Sequence, residues 1–304
     1  MTEILRFAQD DARLRIVFLG TPEFAVPTLE ALAREHEVAL VVAQPDKRAG
    51  RGLKLQSPPV AVKARELGLP LAQPGKIREL KPVEADIGIV VAYGEILPAT
   101  LLQIPKRGFL NVHASILPKY RGAAPIQRAI EHGETETGVT IMRVDEELDH
   151  GPILSIARTA IGPDERTPSL SSRLSQIGAE EIVRALRRDF VETEQDHSKA
   201  TYAPKIEKEE GEIDWSDAAA TIYNKFRAFD PWPGIFRGDL KLIEIAPVTG
   251  KGEPGTILSI DDGVTVATGK GAIKLIVVQR SGKSRQRAPE FAHGAGWRVG
   301  ARLE

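Results

Sequence analysis

Short apolar runs alternate with helical patterns through the first third of the chain, and this alternation restricts the fold more than any other feature. The predicted strands are Leu14–Leu19, Val38–Ala43, Leu69–Gln73, Ala85–Ala92 and Phe109–Val112, and the predicted helices between them include Pro22–Glu35 and Val60–Leu67. Strands that alternate with helices form a mostly parallel sheet that is covered on both faces. The pattern therefore predicts an α/β domain.

The turn after the first strand indicates what kind of α/β domain this is. Gly20-Thr21-Pro22 leads from the first strand into a helix, as in the first βα unit of a Rossmann-like fold. A dinucleotide-binding fingerprint has three glycines in this turn, whereas this chain has one. The sequence therefore favours a Rossmann-like sheet and disfavours NAD binding.

The last of these strands ends in two polar residues that can carry chemistry. Asn111 and His113 are two positions apart, so they project from the same side of the strand. One offers amide N–H donors, and the other has a ring that can gain or lose a proton near neutral pH. A Pro- and Gly-rich loop and a helix from Pro125 follow. Ligands bind at the carboxyl ends of strands in open α/β sheets, so we expect a site here.

A second polar loop follows the second strand. Residues 44–59 are too polar and too rich in glycine to predict a regular element, and the loop carries Lys47, Arg48, Arg51 and Lys54. A loop of this length in a compact domain is usually functional or disordered. Taken alone, these residues favour a mobile solvated loop. With the family resemblance described below, we expect its cations to contact the phosphates of a nucleic acid.

The pattern changes to a period of two from Gly234 to the end. Short strands separated by turns are predicted at Leu240–Ile245, Gly255–Ile260, Val264–Thr268 and Ala272–Val278. They suggest a small antiparallel β-barrel of the oligonucleotide-binding (OB-like) type. Its last part is rich in basic residues, which include Lys283 and Arg285, and this part is a second candidate for nucleic-acid binding.

Composition excludes several classes of function. The 304 residues include no Cys, so disulfides, thiolate nucleophiles and Cys-ligated metal centres are excluded. The formal net charge of −1 means that a polyanion must be bound by a local patch. No apolar run approaches the roughly 18 residues of a membrane span, and residues 1–13 lack the apolar core of a signal peptide. We therefore predict a cytoplasmic protein that does not bind membranes, contains no metal and begins with a disordered extension at 1–13.

Two segments carry a family resemblance. NVHASILPKYRGAAPIQRAI at 111–130 and DEELDHGPIL at 145–154 are similar to the signatures of the folate-dependent formyltransferases, which use 10-formyltetrahydrofolate to formylate an amine. The resemblance implies that Asn111, His113 and Asp149 are catalytic. It also implies a folate site lined by Ser115, Ile116, Leu117 and Pro118. Departures from the family pattern are small: Ile116 replaces the usual Leu, and His150 stands where Thr is common.

Three further segments indicate which amine is the acceptor within that family. They are QPDKRAGRGLKL at 44–55, RGAAPIQ at 121–127 and TYAPKI at 201–206. Their resemblance implies that the acceptor is methionyl initiator tRNA, formylated for translation initiation by a monomeric enzyme. The implied domains are a Rossmann-like formyltransferase domain at 14–190, a linker at 191–210 and an OB-like tRNA-binding barrel at 211–304.

The chemistry of formyl transfer agrees with these residues but leaves alternatives open. Transfer between two nitrogens needs oxyanion stabilisation and protonation of the leaving nitrogen, and an amide beside a histidine can supply both. The residues alone do not select Asp149 over Asp145, because acidic residues crowd the connection between predicted strands Thr137–Val144 and Ile153–Ala160. An amino sugar nucleotide or glycinamide ribonucleotide is an alternative acceptor, and a non-catalytic RNA-binding protein is an alternative from another class.

Overall fold

A computed structural model describes residues 13–49, 54–187 and 191–303. The predicted extension at 1–13 lies outside the described residues except for Arg13. The described chain forms two compact units: the first contains residues up to His113, Val139–Ala157 and Ser175–His197, and the second contains Ala114–Gly138, Arg158–Leu174 and the residues from Ser198 onward. No helix in these ranges is both long and apolar enough to pass through a bilayer.

The N-terminal elements follow the predicted alternation. In chain order they are β1 (Arg15–Gly20), α1 (Val26–Glu35), β2 (Glu37–Val42), β3 (Lys47–Ala49), β4 (Lys54–Gln56), α2 (Pro59–Glu66), β5 (Leu71–Ala72), β6 (Ile87–Val91), α3 (Ala99–Leu102), β7 (Phe109–His113), α4 (Pro125–Glu131), β8 (Glu136–Arg143), β9 (Ile153–Ala160) and α5 (Thr167–Leu186).

Seven of these strands form one sheet in the order β5-β2-β1-β6-β7-β8-β9. The pairs β5–β2, β2–β1, β1–β6 and β6–β7 are parallel, and β7–β8 is antiparallel. Residues 16–19 of β1 and the core of β7 are buried, as expected of strands that are covered on both faces. The predicted mostly parallel α/β sheet is confirmed, and β7 lies between a parallel and an antiparallel neighbour.

A glycine in β6 fixes how closely β6 and β7 pack. Gly88 pairs with Phe109, and a Cβ built on Gly88 would lie 2.1 Å from the Phe109 ring. The ring is only 1% exposed, so it has no open space into which it can move. Gly88 therefore sets the position of the strand that carries Asn111 and His113.

We expect Gly88→Ala to destabilise the protein by about 1–3 kcal/mol, because the added methyl group overpacks the contact with Phe109. The shift of the urea unfolding midpoint measures the effect. Gly294→Ala is the matched control, since a Cβ at Gly294 meets no atom within 4 Å. Equal midpoints for the two variants would contradict the packing argument.

The C-terminal elements form an antiparallel sheet. They are α6 (Ala219–Ala228), β10 (Ile235–Arg237), β11 (Leu240–Val248), β12 (Ile257–Ile260), β13 (Val264–Ala267), β14 (Ala272–Arg280), β15 (Gln286–Arg287) and α7 (Ala288–Gly294). The strand order is β10-β11-β14-β13-β12, and β15 pairs with β14. Every one of these pairs is antiparallel, which confirms an antiparallel C-terminal sheet domain.

Two of the sequence segments that are similar to the formyltransferases pair with each other in the second unit. The Arg121 N–H donates to the Thr201 carbonyl at 2.8 Å, and the Ala203 N–H donates to the Arg121 carbonyl at 2.7 Å. Between them, Gly122 has φ of +116°, and a Cβ there would lie 2.9 Å from the Ala203 oxygen. Only glycine combines this backbone conformation with so close an approach. The segments RGAAPIQ and TYAPKI are therefore parts of one paired structure.

The structure corrects two expectations. Residues 44–59 are not without regular structure, because β3 and β4 form an antiparallel hairpin there. The second expectation concerns Ser216, because serine is a favoured N-cap residue and the sequence predicts a helix that starts there and runs to Phe229, whereas α6 begins at Ala219. The Ser216 N–H is instead bound by the Asp214 carboxylate at 2.8 Å, in a turn that precedes the helix.

Candidate functional site

Asn111 and His113 occupy the carboxyl end of β7, as the alternation of the strand predicts. Asn111 is partly buried, and His113 is 5% exposed. Hydrogen bonding to β8 fixes the strand here, and the last register pair joins His113 to Thr140. The two side chains therefore leave a rigid element rather than a free loop.

Asp149 comes to these two side chains from the connection between β8 and β9. Asn111 Nδ2 donates to Asp149 Oδ1 at 3.2 Å, and His113 Nδ1 lies 3.5 Å from Asp149 Oδ2. Each carboxylate oxygen thus faces one partner. The structure brings together the three residues that the resemblance implies are catalytic. An amide, an imidazole and a carboxylate in this arrangement can donate to a developing oxyanion and move protons.

Asp145, on the same connection, has different partners. Asp145 Oδ2 lies 2.8 Å from His150 Nδ1, and Asp145 Oδ1 accepts the Glu147 backbone N–H at 3.0 Å. Asp145 therefore shapes the connection, and Asp149 is the residue that reaches His113. Geometry separates two residues that the sequence alone ranks equally.

Gln195 is a residue that the sequence analysis missed. It is 5% exposed, and its Nε2 donates to the Asp149 carbonyl at 2.9 Å and to the Gly151 carbonyl at 2.8 Å. It lies in the polar stretch at 191–210, for which the sequence predicts a linker. A glutamine in such a stretch has no periodicity or spacing that would single it out.

A polar network lies at the carboxyl ends of β1, β2 and β6. Thr21 Oγ1 donates to the Tyr93 carbonyl at 2.8 Å, and Gln44 Nε2 donates to Glu95 at 2.9 Å. The hydrogen bond from Gln44, followed by one from the Ile77 N–H, lowers the pKa of Glu95. Burial raises the pKa of Tyr93 to about 12. At neutral pH the Glu95 carboxylate of the network is therefore ionised, while Tyr93 joins the network through its backbone carbonyl and keeps a neutral phenol outside it.

The predicted folate loop is ordered by its own serine. Ser115 is fully buried, and its Oγ donates to the Lys119 carbonyl at 2.6 Å. Leu117 is also buried, whereas Ile116 and Pro118 remain partly exposed. Ser115 and Leu117 therefore hold the shape of the loop, and Ile116 and Pro118 provide apolar surface that solvent reaches.

The basic loop is a hairpin with an anchored base. Lys47, Arg48 and Lys54 are exposed on β3 and β4, and predicted site residue Arg51 lies outside the described residues. Asp46, at the base, accepts hydrogen bonds from Gln73 Nε2 at 2.7 Å and from Ser57 Oγ at 2.8 Å. The hydrogen bond from Gln73 has the larger effect and that from Ser57 the next, and together they lower the pKa of the Asp46 carboxyl.

The second basic candidate lies on the turn between β14 and β15. Lys283 and Arg285 are both exposed there. The turn is held by the Lys283 carbonyl, which accepts Gln279 Nε2 at 2.7 Å. Its two cations are therefore presented to solvent on a hydrogen-bonded turn. Among the described residues, no group of three or more His, Asp or Glu side chains is arranged to hold a metal ion.

Two family models match the chain. The formyl transferase model matches residues 14–186, and the model of the formyl transferase C-terminal domain matches residues 205–296. Curated relatives match nearly its full length. The chain is 47% identical to a methionyl-tRNA formyltransferase of Deinococcus radiodurans over 95% of this chain and 96% of the relative. It is 44% identical to the Thermus thermophilus enzyme of the same name, over 95% and 99%.

Solved structures share the fold at low identity. A sugar 3N-formyl transferase, WlaRD, has a TM-score of 0.70 at 18% identity, over 90% of this chain and all of that one. HypX from Aquifex aeolicus in complex with tetrahydrofolic acid has a TM-score of 0.61 at 23% identity, over 92% of this chain and 47% of that one. At these identities the likeness supports the architecture alone.

Proposed function

Because the chain belongs to the formyl transferase family, we propose that it transfers the formyl group of 10-formyltetrahydrofolate to the α-amino group of methionyl initiator tRNA. The observation that carries this proposal is the convergence of Asn111, His113 and Asp149 on one site. The curated relatives over nearly the whole chain support the choice of acceptor. No specific observation favours an amino sugar, a ribonucleotide or simple RNA binding.

Asn111 and His113 stabilise the charge that develops in the reaction. One N–H of the Asn111 amide is directed at Asp149, and its second N–H can donate to the oxyanion that forms when the amine adds to the formyl carbon. The protonated His113 ring donates as well. One such donor is typically worth about 10²–10³ in rate.

Proton transfer completes the exchange of nitrogens. The bound 10-formyltetrahydrofolate supplies the formyl carbon, to which the methionyl nitrogen bonds. Asp149 accepts the proton that this nitrogen loses, directly or through water, and His113 gives its proton to the departing folate nitrogen as the carbon–nitrogen bond breaks. Passage of the proton from Asp149 to His113 restores both groups, which lie 3.5 Å apart. No enzyme nucleophile is needed.

We also propose how the two substrates are held. The partly exposed Ile116 and Pro118 of the folate loop bind the folate rings, while Ser115 and Leu117 keep the loop in shape. The cations of the β3–β4 hairpin, with Arg51, bind the phosphates near the aminoacyl end of the tRNA. Lys283 and Arg285 bind phosphates elsewhere on the acceptor arm.

We propose a catalytic domain at 14–190, a linker at 191–210 and a tRNA-binding domain at 211–304, in a cytoplasmic monomer that does not associate with membranes. The two family models match residues 14–186 and 205–296, and these matches support the proposed boundaries. The linker is partly packed in the structure, since Gln195, Ala203 and Ile206 are buried.

An acceptor panel tests the proposed function. Purified protein is incubated with 10-formyltetrahydrofolate and, separately, charged initiator tRNA, the same tRNA uncharged, an amino sugar nucleotide or glycinamide ribonucleotide. We expect formylation of the charged tRNA and of no other acceptor. Formylation of a small acceptor in preference to the charged tRNA would replace the proposed substrate.

The proposed tRNA contacts can be tested by removal of single basic side chains. We expect Arg51→Ala to weaken tRNA binding and to lower turnover, because misplacement of the aminoacyl end costs rate. Lys283→Ala and Arg285→Ala should raise the KM for tRNA and spare kcat. Each lost phosphate contact should reduce the slope of log affinity against log salt by about 0.7–0.9.

Steady-state kinetics at two salt concentrations measure these effects, with the exposed Lys251→Ala as a charge-matched control. The KM for folate should be unchanged in all four variants. If Arg51→Ala behaves like the control, the loop that contains Arg51 has no role in binding tRNA.

A further inference from the structure

The backbone of Asp149 adopts an unusual conformation. Its φ is +48°, in the left-handed region that only a few per cent of non-glycine residues adopt, although aspartate and asparagine adopt it more often than the others. Such a conformation persists only where the surrounding structure holds it. Two residues later, a Cβ on Gly151 would lie 2.2 Å from the Arg143 carbonyl, so this end of the connection packs directly against β8. A hydrogen bond from outside the connection would help to hold the Asp149 backbone in this conformation.

Gln195 supplies that hydrogen bond. Its buried amide donates to the carbonyls of Asp149 and Gly151, and these bonds bracket His150. The position of Gln195 is fixed in turn, because Thr193 and Ile153 exchange backbone hydrogen bonds of 2.8 and 2.9 Å two residues earlier. One amide thus ties the catalytic connection to the start of β9 through a segment more than forty residues away in sequence.

We propose that Gln195 is a positioning residue for formyl transfer: it holds the Asp149 backbone so that each carboxylate oxygen meets its partner, Asn111 or His113. The proposal rests on the catalytic role proposed for Asp149. Without the amide, the two carbonyls can turn toward water and the left-handed residue can relax. The carboxylate then leaves the 3.2 and 3.5 Å contacts that align it.

Gln195→Met tests the proposal, because methionine keeps the length of the side chain and removes both N–H donors. We expect kcat to fall about 10–100-fold, as a displacement of roughly 1 Å in a catalytic group does. The KM values for folate and for tRNA should stay within about threefold. Glu194→Gln, at the neighbouring exposed position, is the control and should keep wild-type kcat.

A lowered kcat alone would also follow from a smaller folded fraction, so two further readouts are needed. The pH–rate profile of Gln195→Met should move in the same direction as that of Asp149→Asn, since both remove the carboxylate from His113. In the Asp149→Asn background, Gln195→Met should change kcat less than threefold. If Gln195 acted only on folding, Gln195→Met would leave the pH–rate profile unchanged. It would then lower kcat by the same factor in the wild-type and Asp149→Asn backgrounds.

The outcomes separate this proposal from the proposed function. If Asp149→Asn is inactive while Gln195→Met matches the control, positioning by Gln195 is wrong and the catalytic role of Asp149 stands. If Asp149→Asn retains wild-type activity, the catalytic role of Asp149 fails, and the positioning role fails with it. Gln195→Ala, which leaves room for water, provides a second variant. If neither variant melts cooperatively, Gln195 is a folding residue and the positioning proposal is overturned.

Discussion

His113→Ala should abolish formyl transfer while the protein remains folded and still binds tRNA. The ring is proposed both to donate to the oxyanion and to protonate the leaving nitrogen. An oxyanion donor is typically worth about 10²–10³ in rate, and general acid catalysis about 10²–10⁴. Because the two roles belong to one group and are not additive, we expect kcat to fall by at least about 10³-fold.

The measurement is single-turnover formylation at saturating tRNA and folate. His293→Ala, which removes an exposed histidine on α7, is the control and should stay within about twofold of wild type. The variant should still melt cooperatively, at a lower temperature because the deleted ring is only 5% exposed. Its tRNA binding should be nearly unchanged, since no tRNA contact is assigned to His113. Turnover of the His113 variant within a few-fold of wild type would refute the mechanism.

Asp149→Asn should lower kcat at neutral pH by about 10²-fold or more. Asparagine keeps the shape of the side chain but removes the carboxylate that lies 3.5 Å from His113 and the base that receives the amine proton. The pH–rate profile should therefore shift relative to that of the wild-type protein. The complete pH–rate profile at saturating substrates is the measurement.

Asp145→Asn is the matched control for this prediction, because Asp145 lies on the same connection but contacts His150 and the Glu147 backbone. Its kcat should fall much less, and its profile should keep its position. If the Asp149 profile is unchanged while the Asp145 profile moves, the acidic partner of His113 has been misassigned.

Much of the fold could be predicted because its signals are local. Apolar runs bounded by turns predict β6 and β7 in the sheet, and the predicted strand Ile153–Ala160 matches β9 at both ends. The period of two in β7 also predicts that Asn111 and His113 share a side. These features depend on a few consecutive residues, so no knowledge of tertiary contacts is needed.

Other features depend on partners that are distant in sequence. The β3–β4 hairpin is polar, and its base is held by Gln73, which no local pattern connects to Asp46. Asp149 is one of several acidic residues on its connection, and only the three-dimensional path brings it to His113. Gln195 has no signal in the sequence, because its importance lies in which backbone carbonyls it reaches.

The most direct test of the account follows the formyl group itself. Wild-type protein is mixed with 10-formyltetrahydrofolate that is ¹⁴C-labelled in the formyl group and with charged initiator tRNA, in one turnover with rapid quenching. We predict that label appears on the methionyl α-amino group at the rate at which folate loses it, and that the protein carries no label. With His113→Ala, the label should neither leave the folate nor appear on the methionine. Label on the protein before the tRNA, or none on the methionine, would contradict direct transfer at this site.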